Sequence, residues 1–371
     1  MKILFFHRWV GVHGGGSETH IIELAKRFAV LKHDIAILTR QGKRLDNLDK
    51  NIKIFRISKN IGESDHSYED IRVYLHTALF MLKSLLFLFW LRVKGEKFDI
   101  ISVHFATEAI IARIYRFFTG IPFVFILEGY TPLEAKTARY ANLRISISNF
   151  EADIYRQRHG VESKTIYVGV DTKRFSDPKI DICKLRQELI NKDELLILTV
   201  CRLEPRKDIF TLLDAAKQVS SKNDKIKFVI VGEGISKDVI ADKIKDLGLE
   251  NIVKLAGFID DVNLPSYYKA ADLFLLTSKE EWFGIVFIEA MSAGLPVIAT
   301  NVDACPEVVG DCGLFFEKSN PHDLAKEILL FAADPQMRKD YSNKSAERAK
   351  EFDWDKQIYR YQEAYRSVLK K

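Results

Sequence analysis

Short apolar runs recur along the whole chain, each followed by a stretch of helical periodicity, and this alternation constrains the fold more than any other feature. In the first half, Lys2–His7, Asp34–Thr39, Ile52–Ile57, Phe98–His104, Pro122–Leu127 and Leu143–Ser148 read as strands. Ser17–Leu31, Tyr68–Val93, Ala106–Phe118 and Asn149–His159 read as helices. The pattern restarts with strands at Leu195–Cys201, Lys227–Val231, Ile252–Ala256, Asp272–Thr277 and Pro296–Thr300. Its helices are Asp208–Ser220, Ser236–Leu247, Leu264–Ala270, Ile285–Ala293 and Pro321–Ala333. Strands separated by helices pair in parallel through crossovers, so each half is expected to be a doubly wound α/β sheet. A chain of 371 residues is long for one core, and two Rossmann-like domains are expected, 1–170 and 193–350, joined by a linker at 171–192 that holds Pro178.

Composition excludes the fibrous and disordered classes: 47% of residues are hydrophobic and 29% charged. Cys183, Cys201, Cys305 and Cys312 form no Cys-x-x-Cys pair, so neither a disulfide framework nor a zinc knuckle is indicated and a cytoplasmic setting is expected. Ile3–His7 is too short for a signal-peptide core and reads as the first strand. Val73–Val93 is apolar almost throughout but interrupted by His76, Lys83 and Ser84; it is expected to be a buried core helix, with peripheral membrane contact as the alternative. Residues 1–170 carry 25 basic and 17 acidic side chains, a net +8, and the rest of the chain is −3. Clusters such as Lys43-Arg44, Arg113 with Arg116, and Arg156 with Arg158 suit an anionic membrane surface or substrate, or are ordinary solvated charge.

Ligands of open α/β sheets bind beyond the carboxyl ends of the strands, so the motifs there carry the chemistry. After the first strand, Trp9-Val-Gly-Val-His-Gly-Gly-Gly-Ser-Glu-Thr-His20 is a glycine-rich turn entering a helix. It suits a diphosphate or is a flexible loop with a serine cap; no Gly-Lys-Ser/Thr follows it. Gly232-Glu-Gly234 lacks the third glycine of a dinucleotide fingerprint and reads as a tight turn. Arg202, Arg206 and Lys207 precede a helix capped by Asp208 and suit neighbouring phosphates, or are solvated charge. Beyond Asp272–Thr277, the amides of Phe283, Gly284, Ile285 and Val286 open a helix and favour an anion. Glu289, in that helix, suits a neutral diol such as ribose, and Glu281 suits sugar hydroxyls or a developing positive charge.

Glu281 and Glu289 flanking Phe283-Gly284 make the chain resemble the retaining family 4 glycosyltransferases, which have the GT-B fold. The resemblance covers nearly the whole chain: Gly15-Gly16-Ser17-Glu18, Phe98–His104, Ser146-Ile-Ser148, Gly169–Phe175, Arg202 with Lys207, Leu255–Phe258, Ala271–Ser278 and Pro306-Glu-Val308. Phe352-Asp-Trp354 looks like the start of the family's last helix, over 351–371, which crosses back onto the first domain. The resemblance implies a nucleotide-sugar donor, UDP- or GDP-linked, held by the second domain, with a glycan or lipid-linked acceptor on the first and no cofactor or metal. Gly15 and Gly16 would approach the diphosphate, Arg202 and Lys207 would neutralise it, and the amides of Phe283 to Val286 would hold the distal phosphate. Glu289 would take the ribose, the Phe258 backbone the base, Glu281 the donor sugar, and His104 the sugar near the reaction centre. In such enzymes the leaving diphosphate is thought to accept the acceptor proton on the same face, so Arg202 and Lys207 would matter most to rate. Asp353-Trp-Asp355, the one Asp-x-Asp, lies in the presumed last helix and is not expected to bind metal.

Three departures bear on specificity: Trp282 stands where relatives have glycine, Glu128 where they often have histidine, facing the acceptor side, and Val168 where asparagine is common. The alternatives to a lipid- or glycan-directed transferase are a synthase or phosphorylase with a soluble acceptor, and a non-catalytic nucleotide-sugar binder. No nucleic-acid partner is expected; peripheral membrane association through the basic first domain is.

Overall fold

A computed structural model describes residues 1–11, 15–42, 45–46, 48–58, 71–177 and 181–370, the side chains of 71–74 excepted. Val12, His13 and Gly14 of the glycine-rich turn, Lys43-Arg44, the first three residues of the expected helix at Tyr68–Val93, and Pro178 lie outside them. The chain divides into two compact units, 1–167 with 357–371, and 168–356.

In the first unit the strands are β1 (Lys2–Phe6), β2 (Asp34–Thr39), β3 (Ile52–Arg56), β4 (Ile100–Val103), β5 (Phe123–Leu127), β6 (Leu143–Ser146) and β7 (Lys164–Thr165). Among them run α1 (Gly16–Val30), α2 (Ile71–Val93), α3 (Ala106–Thr119), α4 (Pro132–Ala138) and α5 (Asn149–His159). The strands form one parallel sheet in the order β3-β2-β1-β4-β5-β6-β7. Ile3 of β1 pairs with Ile35 on one side and Ile100 on the other, so β1 is central. Ile3, Leu4, Phe5 and Phe6 have no exposed surface, as expected for a strand covered by helices on both faces.

The second unit holds β8 (Leu195–Val200), β9 (Ile226–Val231), β10 (Val253–Gly257), β11 (Leu273–Leu276), β12 (Val297–Thr300) and β13 (Gly313–Phe316). Its helices are α6 (Thr172–Ser176), α7 (Ile182–Leu189), α8 (Ile209–Ser220), α9 (Lys237–Asp246), α10 (Leu264–Ala270), α11 (Ile285–Ser292), α12 (Cys305–Val309), α13 (Pro321–Ala333) and α14 (Pro335–Ala349). The order β10-β9-β8-β11-β12-β13 repeats that of the first sheet. Both sheets therefore reverse direction at a central pair, β1/β4 and β8/β11, and the crevice beyond the carboxyl ends of such a pair is where doubly wound sheets bind ligands.

Two segments differ from the sequence reading. The stretch 171–192 forms α6 and α7, each capped by an aspartate side chain (Asp171 and Asp181) and each anchored by one buried apolar residue, Phe175 and Leu185. One anchor per helix leaves no periodic signal, which is why the segment reads as a linker. In α2 only one face is buried: Phe80, Met81, Leu88 and Leu91 enter the core, whereas Leu75, Leu79, Leu82, Leu86, Trp90 and Val93 are exposed. The expectation of a buried core helix therefore holds for one face of α2 only.

The last helix, α15 (Trp354–Leu369), begins in the second unit, and from Gln357 onward its residues belong to the first. Tyr361 donates to the Ile166 carbonyl at 3.2 Å, and Tyr365 and Ser102 share a buried hydrogen bond of 2.7 Å.

Candidate functional site

The strand order of the second unit brings together residues that are far apart in sequence. Arg202 and Lys207 follow β8, and Ser278 and Glu281 follow β11, the two strands of the switch point. Lys207 Nζ forms an ion pair with Glu281 Oε2 and lies 3.3 Å from Ser278 Oγ, which itself donates to Glu281 Oε2 at 3.1 Å. All three side chains are buried. The backbone is fixed as well: Thr277 Oγ1 donates to the Lys207 carbonyl at 2.8 Å, and the Glu281 amide donates to Asp303 Oδ2 at 3.0 Å. Asp208 and Asp303, on either side of the pair, hold left-handed backbone with φ of +48°, a conformation that costs about 1–3 kcal/mol and persists only where the surroundings impose it. Arg202 is half-exposed and pairs with Glu204 at 3.0 Å.

The helix start is built around Gly284, whose φ is +81°. A Cβ there would lie 2.5 Å from the Phe287 ring and 3.2 Å from Glu281 Cγ, so only glycine fits. No side chain caps α11, which leaves the first-turn amides of Ile285 and Val286 available to an anion. Phe283 is a core residue against Phe352, so any contribution it makes to a ligand comes from its backbone. Trp282 is half-buried.

Glu289 accepts a hydrogen bond from Tyr268 Oη at 2.7 Å. Burial pushes its carboxyl up to about 7, against the Tyr268 hydrogen bond and the Arg174 charge. Arg174 of α6 donates to the Asp261 carbonyl, and Asp261 adds its own charge near Glu289. The register irregularity of β10 falls between Leu255 and Gly257 and turns out Phe258, which is 72% exposed. Beside it lies a hollow of about 320 Å³ lined by Phe258, Asp260, Asn263 and Tyr267 and by Asp181 and Lys184 of the α7 region. Gly232 and Gly234 are structural, as expected: added Cβ atoms would lie 1.8 Å from the Cys201 carbonyl oxygen and 2.3 Å from that of Leu203. Cys201 and Cys305 feel the charges of the Lys207–Glu281 pair, but burial pushes both thiols up and so disfavours the thiolate form.

In the first unit, adjacent strands β1, β4 and β5 end in His7, His104 and Glu128. Glu128 Oε2 accepts a hydrogen bond from Ser17 Oγ of α1 and lies 3.3 Å from His104 Nδ1, and Oε1 is bonded to His20 Nδ1, also of α1. Burial works to raise the Glu128 carboxyl, and His104 and His20 outweigh it and hold it well below the usual carboxylate range. Burial, then the charge of His104, keeps His7 well below the ordinary imidazole value. Glu128 is thus engaged by side chains of its own unit. His104 is itself buried. Gly15 is the N-cap of α1 and Gly16 its first residue.

Of the residues expected around one ligand, Arg202, Lys207, Phe258, Glu281, Phe283 to Val286 and Glu289 belong to the second unit, and Gly15, Gly16 and His104 to the first. The sequence reading missed Tyr268, Ser278, Asp303 and Arg174, and also the Ser17–His20–Glu128 network. Ser17 and His20 stand three apart on α1, a spacing that puts both on one face and is visible in sequence. Asp353-Trp-Asp355 is a helix start: Asp353 Oδ1 accepts from the Asp355 amide at 2.8 Å and Oδ2 from the Thr172 hydroxyl.

Residues 14–174 match the family model described as Glycosyltransferase Family 4, and residues 183–348 the one described as Glycosyl transferases group 1. The chain belongs to this glycosyltransferase family. The glycosyltransferase is 24% identical to D-inositol 3-phosphate glycosyltransferase of Streptomyces bingchenggensis, over 96% of this chain and 85% of the relative. It is 30% identical to the UDP-Gal:alpha-D-GlcNAc-diphosphoundecaprenol alpha-1,3-galactosyltransferase of Escherichia coli, over 60% of this chain and 62% of that one. The crystal structure of Anabaena HepE in complex with UDP and glucose matches it with a TM-score of 0.81 and 24% identity, over 99% of this chain and 100% of the other. That likeness shows the fold, GT-B.

Proposed function

We propose that the glycosyltransferase moves a hexosyl unit from a UDP- or GDP-sugar to a glycolipid, lipid-linked or polysaccharide acceptor, with retention of anomeric configuration and without a metal or other cofactor. The observation that carries this reading is the junction of Lys207, Ser278 and Glu281 at the β8/β11 switch point, beside the uncapped start of α11. A bound diphosphate takes the Lys207 ammonium from Glu281 and draws on Arg202 and the amides of Phe283 to Val286. Glu281 then turns to the donor sugar, Glu289 accepts from the ribose hydroxyls, and the base lies against the Phe258 backbone over the hollow. His104 is assigned the donor sugar, and Gly15 and Gly16 the diphosphate. With the charge of the leaving group stabilised this way, its oxygen takes the acceptor proton and no protein nucleophile is needed. The lipid-linked acceptor class is supported by the relative whose name gives a diphosphoundecaprenol substrate.

A thermal-shift panel of nucleotide sugars tests the reading, because a donor that binds the folded state raises its melting temperature. Stabilisation by one UDP- or GDP-hexose, followed by transfer giving a product of the donor's anomeric configuration, is the expected result. No stabilisation by any donor overturns it; stabilisation without turnover leaves a nucleotide-sugar binder, and transfer to a soluble sugar phosphate leaves a synthase. Activity is expected to survive a chelator. Loss that a divalent ion restores would point to His20, His104 and Glu128, whose ligand atoms lie within 4.8 Å of one another.

A further inference from the structure

We propose that the outer faces of α2 and α3 together form the surface by which the protein lies on an anionic lipid bilayer, both helices parallel to the membrane plane. On α2 the exposed positions Leu75, Leu79, Leu82, Leu86, Trp90 and Val93 follow one another at helical spacing, a stripe about 27 Å long. On α3, which packs against α2 through Phe89, Tyr115 and Phe118, the exposed positions are Ile110, Ile114, Phe117 and Phe118. Leu86 is 61% exposed and Phe117 83%. A soluble surface rarely leaves so many large apolar side chains contiguous unless something covers them.

Charge identifies what covers them. No acidic residue occurs in α2, and the single one in α3, Glu108, is fully buried and accepts a hydrogen bond from the Arg8 amide at 3.3 Å. Among the described side chains of the two helices the exposed charges are basic: Lys83 and Arg113 are exposed and Arg92 and Arg116 partly so, and exposed Lys94 directly follows α2. A second copy docked through the same face would bring these charges against themselves, whereas anionic headgroups neutralise them. Trp90 is a residue type that favours the headgroup boundary, and Phe117 and Phe118 suit the apolar face of a helix lying in it. Leu75–Val93 is long and apolar enough to cross a membrane, but its other face, with Phe80, Met81, Leu88 and Leu91, is packed into the core of the first unit. A helix held that way lies on a bilayer and does not cross it.

The inference rests on the proposed function only for its purpose, bringing the chain to a lipid-linked acceptor. Its test is flotation of the full chain with vesicles of phosphatidylglycerol and phosphatidylethanolamine, and with pure phosphatidylcholine. Wild type is expected to float with the anionic vesicles and to be released by high salt. Leu86→Glu with Phe117→Glu should abolish binding, and Lys83→Glu with Lys94→Glu should weaken it roughly five-fold for each charge lost. These four positions are exposed, so melting temperatures should hold, and donor stabilisation should persist in every variant. Wild type that floats but is stabilised by no nucleotide sugar supports this surface while overturning the transferase reading. Equal flotation of wild type and the Leu86/Phe117 variant overturns the surface. So does wild type that stays in solution and forms a dimer dissociated by those substitutions, which gives the face to a second copy.

Discussion

Lys207 and Glu281, 74 residues apart in sequence, meet in a buried ion pair at the switch point of the second sheet. The pair joins the group proposed to neutralise a diphosphate to the group proposed to hold the sugar, so each charge has a partner that a donor would have to displace. Lys207→Ala removes the proposed phosphate partner and leaves Glu281 buried without its counter-charge. Turnover is expected to fall on the order of ten- to thousand-fold. Stability should fall by about 3 kcal/mol as well, read by denaturant unfolding beside single-turnover assays. Unchanged values in both would sink the assignment.

Glu289, proposed to hold the ribose of the donor, would give donor binding a pH dependence. Its carboxyl is pushed up to about 7 in the folded protein, so the folded state holds a proton that the unfolded chain releases near the ordinary carboxylate value. The sign follows: this group's contribution to stability is fully present below the unfolded value and is lost as pH rises through about 7. A ribose diol needs the ionised form. Donor affinity measured by calorimetry should therefore fall about ten-fold per pH unit below 7, and Tyr268→Phe, which removes a donor to the carboxylate, should move the midpoint upward.

Gly284→Ala tests the helix start. The φ of +81° and the Phe287 ring 2.5 Å from the added Cβ both oppose it, so a loss of about 1–3 kcal/mol is expected. Because the amides of Ile285 and Val286 shift with the turn, KM for the donor should rise together with the stability loss.

Glu128→His, which installs the residue common in relatives, is expected to harm this protein. It would put a fourth imidazole among His7, His20 and His104 and leave Ser17 and His20 without their carboxylate acceptor. A loss of about 2–4 kcal/mol should appear in thermal unfolding, with Glu128→Gln intermediate.

The sheets were legible because strands buried on both faces write themselves as apolar runs, and the strands of β1, β2, β5, β8 and β11 stand within a residue or two of where those runs lie. β7 and β13 were not read: one is two residues long at a sheet edge, and the other follows a turn at Gly310–Cys312 with only Gly313 and Phe316 fully enclosed. α14 buries only Ser345 and Ala349, so it offers no apolar stripe. In the site, Glu281, Glu289 and the glycine between them were visible as a local motif. Glu128 was seen only as a departure, because its partners are 108 and 111 residues away and nothing nearby in sequence marks them. α2 misled for a different reason: composition reports how apolar a helix is and not how many of its faces find a partner.

The division of α15 between the units has a consequence for synthesis. Tyr361 and Tyr365 are fully buried residues of the first unit, bonded to Ile166 and Ser102. The half of the protein that leaves the ribosome first thus cannot close its own core until the residues beyond Gln357 have followed, after all of the second unit. Domains usually fold in the order they emerge; here the later one is free to finish first, while the earlier one waits with an open seam and exposed apolar helices.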